Sequence, residues 1–147
     1  MSLQDEKGII KWRMHFSSPP EKVYEALATQ EGREKYWAES SPEKEGVVEF
    51  HILKFPPFSG EIIEQKPSEL FVIEYFGTLT RFELKSDGKG GTDLFLVATG
   101  IDDEAERLDM IPGWVSVLMA MKAAVDFGVD LRNHDIERTW QDGYADN

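Results

Sequence analysis

"MIPGWVSVLMAMKAAVDFGVDL", Met110 to Leu131, decides the fold. On a helical wheel Trp114, Val117, Leu118, Met121, Val125, Gly128 and Leu131 make one broad arc, while Lys122, Asp126 and Asp130, spaced by four, leave a narrow polar stripe. Such a helix is covered round most of its circumference by its own domain, by a membrane or by a shared apolar ligand. A membrane span needs about 20 apolar residues, and Pro112, Ser116, Lys122, Asp126 and Asp130 interrupt this stretch. The expectation is a helix of a soluble protein, with no membrane partner.

The 147 residues suit one domain with one core, able to bury roughly 70% of the surface that the unfolded chain exposes. That single domain is expected over residues 1–147, with its core at about 9–131 and an extension at 133–147. With no cysteine, disulfides and thiolate-ligated metals are excluded, which fits a reducing compartment. The opening "MSLQDEKGII" has no apolar signal core, so a cytoplasmic location is expected. A net charge of −12 with 16 scattered Lys and Arg opposes nucleic acid and anionic lipid as partners, because phosphate binding draws on clustered cations.

Outward from the helix, "GIIKWRMHF" alternates: Ile10, Trp12, Met14 and Phe16 share one face and Lys11, Arg13 and His15 the other, as in a half-buried strand. In the next segment Ser18 is placed to cap a helix, Pro19 or Pro20 suits a first turn, and Val23, Ala26 and Leu27 form an i, i+3, i+4 stripe. Thr29 offers a second cap, for a short helix from Gln30 to the aromatic pair ending at Trp37. From Glu45 to Leu96 come five strands, "EGVVEFHIL", "SGEIIEQ", "ELFVIEYF", "TLTRFELKS" and "TDLFLVA". The breaks between them, "FPPF", "KPSE", "FGT" and "DGKGG", are too short for parallel crossovers. "DDEAERLD", Asp102 to Asp109, reads as an acidic connection. The expected order is β-α-α-β-β-β-β-β-α: an α+β fold in which a six-stranded antiparallel sheet is covered by the final helix.

Four phrases, "PPEKVYEAL" running on to "KYW", "GEIIEQKPSELFVIEY", "GGTDLFLVATG" and "PGWVSVLMAMKAAV", make the chain resemble the family of homologues of the activator of heat-shock protein 90 ATPase. That family lies within the START-like, Bet v 1-like (SRPBCC) group of helix-grip proteins. The resemblance spans about Ile9 to Leu131 and implies a curved sheet wrapped around the carboxy-terminal helix with an apolar cavity between them. It implies no shared catalytic residue. The chain departs from the eukaryotic activators by lacking their extra amino-terminal domain, and it adds "NHDIERTWQDGYADN", Asn133 to Asn147.

The residues expected to line a cavity are Trp12, Met14 and Phe16 of the first strand, Phe50 and Ile52, Ile73 and Tyr75, Phe82 and Leu84, and Trp114, Leu118, Met121 and Val125 of the helix. The competing reading is a filled core, in which each large side chain contributes ~1.5–3 kcal/mol on burial. Thr78 and Thr80 share the alternation of Phe82 and Leu84, so their hydroxyls and the Tyr75 phenol could orient a ligand's polar end, or serve only as strand residues. Met110, Met119 and Met121 offer deformable surface.

The case for catalysis is thin, resting on Tyr75, Thr78 and Thr80 as the inward-facing groups, and no metal or cofactor is expected. His15, His51 and His134 lack ligand spacing, and Glu61 and Glu64 fall on opposite faces of a strand. The last strand is apolar on both faces, with Leu94, Leu96 and Ala98 on one and Phe95 and Val97 on the other. Ile136, Trp140 and Tyr144, at i, i+4, i+8, could form a tail helix that covers it; a homodimer or simple scatter would account for the pattern equally well. Three functions remain open: a binding module for a small hydrophobic molecule, a chaperone-regulating domain with a heat-shock protein 90 partner, and a cyclase- or hydrolase-type enzyme.

Overall fold

The alternation at the amino-terminal end produces β1 (Ile10–Phe16), with Ile10 and Phe16 fully buried and Trp12 and Met14 half-buried on the same face. The computed structural model describes residues 3–147. After β1 come α1 (Pro20–Ala28) and α2 (Gln30–Arg33). Six further strands follow: β2 (Glu43–Lys44), β3 (Val47–Phe50), β4 (Phe58–Lys66), β5 (Leu70–Tyr75), β6 (Thr78–Ser86) and β7 (Thr92–Thr99). The last long element is α3 (Glu104–Phe127). All neighbours pair antiparallel in one sheet ordered β1-β7-β6-β5-β4-β3-β2, curved around α3 in a helix-grip arrangement.

The sheet has seven strands where six are expected. The extra one, β2, is two exposed residues that turn back onto β3 through Glu45 and Gly46, both at positive φ, too short to show any alternation. Curvature has two visible sources. A register shift between Ile62 and Glu64 makes a bulge that leaves Ile63 exposed, and bulges bend and twist a strand. At Gly60 a Cβ would stand 2.1 Å from the Glu74 carbonyl oxygen and 3.2 Å from the Phe50 ring, so the backbones approach there only because the residue is glycine.

Pro19, not Ser18, is the N-cap of α1, without a side-chain hydrogen bond; the Ser18 hydroxyl donates to the Val125 carbonyl instead. Thr29 caps α2 as expected, accepting from the Gly32 amide at 3.0 Å, but α2 is one turn and Tyr36 and Trp37 lie beyond it. The final helix is also displaced from the expected Met110–Leu131. It starts at Glu104, capped by Asp103, whose carboxylate accepts from Ala105 N at 2.9 Å, so most of the supposed acidic connection is helical. It ends at Gly128, left-handed at φ 66°, which glycine allows at little cost.

α3 lies along β1 and ties to it. Trp12 Nε1 donates to the Ile111 carbonyl at 3.2 Å, Arg107 to that of Ile9 and Lys122 to that of His15. The Asp126 carboxylate accepts from the Ser17 and Ser18 amides at the turn after β1. By length and composition α3 could cross a membrane, yet Trp114, Leu118, Met121 and Val125 are buried against the sheet, which is how a core helix behaves.

The tail forms no helix over β7. Residues after Gly128 make a loop closed on itself, with Asn133 bonded to Asp146, and its regular part is a 3-10 turn, Trp140–Asp142. The outer face of β7 is sheltered by the sheet's own cations: Arg13 sits 5.2 Å and Lys85 5.6 Å from the Phe95 ring centroid, and Val97 is flanked by Lys11 and Arg81. Long basic side chains cover apolar surface with their stems while keeping their charge in water.

Candidate functional site

Between the sheet and α3 the expected lining residues converge. Phe16, Phe50, Ile73, Tyr75, Thr78, Thr80, Phe82, Leu84, Trp114, Leu118, Met121 and Val125 are all buried in the interior. Trp12, Met14 and Ile52 are half-buried at its margin, Ile52 just past the end of β3. The residue that sequence reasoning passed over is Trp37. Its ring occupies the space between the layers, with centroids 5.2 Å from Phe50, 5.2 Å from Tyr75, 5.8 Å from Phe82 and 6.0 Å from Trp114. The aromatic pair at the end of the second helix was visible as such, but a one-turn helix has no period from which to read the direction of Trp37.

The segment carrying Trp37 is anchored by a buried arginine. Arg33 is fully buried and donates to the Leu27 carbonyl at 3.0 Å, to the Ser41 carbonyl at 3.2 Å and hydroxyl at 3.3 Å, and to Glu43 at 3.2 Å. Its planar fork serves several acceptors at once. Tyr36 donates to the Ala26 carbonyl at 2.9 Å, and Glu39 and Ser40 pair with His51 beyond the end of β3. Trp37 is thus pinned from both sides.

The polar inventory of this interior is short. Thr78 donates to the Tyr75 carbonyl at 2.6 Å, and the Thr78 and Thr80 hydroxyl oxygens are 2.7 Å apart. With the Thr78 proton committed, Thr80 donates to Thr78 and keeps its own lone pairs open. Burial pushes the Tyr75 phenol well above its ordinary value, and the neighbouring Trp37 indole N–H, acting on it as a hydrogen-bond donor, works the other way. Even so, Trp37 Nε1 is buried without a hydrogen bond of normal geometry.

One end of this interior has an aromatic rim. Phe58 stacks on Phe50 at 5.3 Å and on Phe76 at 4.1 Å, and Phe55 lies 5.6 Å from Phe76. Phe76 is exposed and at φ 49°, beside Gly77 at φ 74°. These angles fit a two-residue hairpin turn that ordinarily takes Asn or Gly. A bulky residue in this region is strained, and here it is held by stacking. A continuous run of rings therefore leads from the surface at Phe76 to Trp37.

Two surface depressions lie elsewhere. One of about 120 Å³ sits between α1, α2 and the end of α3, over Tyr36 and Val125, below the roughly 300 Å³ that a drug-sized ligand needs. The other, about 400 Å³, spreads over the polar and charged residues Gln30, Glu31, Glu34 and Lys35. Among the described residues no three His, Asp or Glu side chains converge as metal ligands. His15 pairs with Asp87 at 2.8 Å, His51 with Glu49 at 3.4 Å, and His134 with Glu39 and Asp130.

A curved antiparallel sheet gripping a carboxy-terminal helix, with an aromatic interior between them, defines a START-like, SRPBCC-type protein. Within that group the chain belongs to the family described as activator of Hsp90 ATPase homolog 1-like protein, whose model matches residues 17–126. Among proteins of curated function, none matches the sequence significantly. Solved structures share the fold. A Staphylococcus saprophyticus protein, SSP2350, is 20% identical, with 87% of this chain and 98% of that one covered and a TM-score of 0.75. The Aha1 dimer of Colwellia psychrerythraea is 19% identical, with 82% and 97% covered and a TM-score of 0.68. A conserved protein of unknown function from Enterococcus faecalis, EF2215, is 17% identical, with 90% and 81% covered and a TM-score of 0.73. Likeness at these identities establishes the fold alone.

Proposed function

We propose that this protein is a binding module that holds one small amphipathic molecule between the sheet and α3, its polar end at Trp37. The observation that carries this reading is the buried indole N–H of Trp37, which makes no hydrogen bond of normal geometry in an aromatic interior and has only the Tyr75 phenol beside it. A buried donor left wholly without an acceptor costs about 1–3 kcal/mol, and a poorly aligned one part of that. A guest with a carbonyl or hydroxyl oxygen would supply the acceptor, and its apolar body would lie among Phe50, Phe82, Trp114 and Met121. A hydroxyl guest could also donate to Thr80. Trp37 fills the space in the closed form, so a guest enters by shifting its ring, with Met121 adapting alongside.

The test is Trp37→Phe, which keeps a ring and removes the donor. Uptake of a fluorescent probe with a single carbonyl should weaken roughly three- to ten-fold, about 0.7–1.4 kcal/mol, while that of its hydrocarbon counterpart stays nearly constant. Equal loss for both probes, or no uptake of either by the wild-type protein, contradicts the reading.

A further inference from the structure

The end of the grip beside Trp37 is covered by the chain's own tail. Arg132, with its side chain only 6% exposed, donates to the carbonyls of Glu34 at 2.7 Å and Ala38 at 2.9 Å, which bracket Trp37 in the chain. Next to it, His134 Nδ1 lies 2.7 Å and 2.9 Å from the two Glu39 carboxylate oxygens, and Nε2 lies 2.8 Å from Asp130. Further along, the Asp142 carboxylate accepts from Lys54 at 2.8 Å, joining the tail to the loop that carries Phe55. Trp140 lies against α3, where a Cβ on Gly113 would stand 3.7 Å from its ring. One loop therefore touches the segment before β2, which carries Trp37, the loop before β4, and α3, whose Trp114 packs on the Trp37 ring.

We propose that residues 130–142 form a strap closing this end of the grip, and that His134 is its pH-dependent catch. As a cover for a ligand the strap rests on the binding reading; its movement does not. Both imidazole nitrogens face carboxylates, so both links are hydrogen bonds only when both nitrogens carry protons. The charged groups facing His134 are Glu39 from the segment before β2, and Asp130 and Arg132 from its own segment. The hydrogen bonds to Asp130 and Glu39 outweigh burial and the guanidinium, holding the imidazole's proton above its ordinary value of 6.5.

The direction of the pH effect follows from that shift. A group whose folded pKa is raised contributes its full stability below the unfolded value and loses it as pH rises through the folded one. The catch is thus fastened in mild acid and released in mild base, where neutral imidazole donates from one nitrogen only. The far anchor behaves oppositely: the hydrogen bond from Lys54 lowers Asp142 to about 2, so that contact fails only in strong acid. Raising the pH therefore loosens one end of a strap that stays tied at the other.

Hydrogen–deuterium exchange of the full chain without ligand, at about pH 6 and about pH 8.5 and corrected for intrinsic exchange, reads this movement. In the wild-type protein, peptides covering residues 130–142 should exchange roughly three- to ten-fold faster at the higher pH. His134→Gln should exchange quickly at both, and Glu39→Gln should raise the low-pH rate toward the high one. Melting temperatures confirm that the variants are folded. A wild-type rate that does not change with pH, or a pH effect that survives in His134→Gln, overturns the proposal. Because no ligand is present, failed probe uptake leaves this result standing, and a flat exchange profile leaves the binding reading standing.

Discussion

Truncating Trp37 to alanine should lower stability by about 3–5 kcal/mol, a fall in melting temperature of roughly 10 °C for a chain of this size, and should make the protein a better receptor for small apolar probes. The ring is 4% exposed and packs against Phe50, Tyr75, Phe82 and Trp114. Three of those partners stand on sheet strands and the fourth on α3. These elements are tied to one another by backbone pairing and by the Trp12, Arg107 and Asp126 links. They cannot close over the gap, and an apolar cavity that stays open takes up apolar guests. Thermal unfolding and probe fluorescence read the two effects together. A variant that loses about 1 kcal/mol or less and takes up no more probe would show that Trp37 is not the wedge between the layers.

The second large effect is at Arg33. Arg33→Met keeps most of the apolar stem but leaves the Leu27 and Ser41 carbonyls and the Glu43 carboxylate without their donor. Breaking a buried charged network in this way costs about 3–5 kcal/mol. The loss should be local first. The near-ultraviolet circular dichroism of the aromatic cluster should weaken before the far-ultraviolet signal, because the segment released carries Trp37. Arg33→Lys should recover little, since a single ammonium cannot reproduce the fork. Full stability in Arg33→Lys would mean that charge alone, not the geometry of the fork, holds this segment.

What could be read from the sequence, and what could not, follows from the length of the signal. β1 and β6 alternate over seven and nine residues, and α3 carries its core face at Trp114, Leu118, Met121 and Val125, so sheet, helix and lining were legible. β2 is two residues long, α2 is one turn, and neither contains a period. The start of α3 was hidden in an acidic run, although Asp103 with Glu106 three residues later is the spacing of a capping pair. Ile136, Trp140 and Tyr144 have helical spacing, but Asn133, Asp135 and Gly143 set the local conformation. Asn133 and Asp135 accept from backbone amides two residues on, and Gly143 takes φ 90°, chemistry that favours turns over helix. The two-sided apolar pattern of β7 suggested a missing cover, and the answer lay in cations on neighbouring strands rather than in the tail.

Trp37 and Arg33 were illegible for a different reason. Their roles come from contacts across the layers, and a tryptophan or an arginine after one helical turn looks the same in sequence whether it faces in or out. They are also the residues on which the functional reading depends. Trp37 fills the space and holds the buried donor that lacks a hydrogen bond of normal geometry, and Arg33 sets the segment that carries it.

If a small amphipathic molecule belongs between the sheet and α3, the protein purified from its own cells should carry it. Native mass spectrometry, followed by solvent extraction and identification of anything released, should find a defined passenger with an apolar body and an oxygen acceptor. It should be present at near-unit stoichiometry, and bind Trp37→Phe roughly three- to ten-fold more weakly. An empty protein that also refuses apolar probes would sink the binding reading, and would turn attention to the exposed stripe of Leu108, Val115 and Met119 on α3 as a surface for a protein partner.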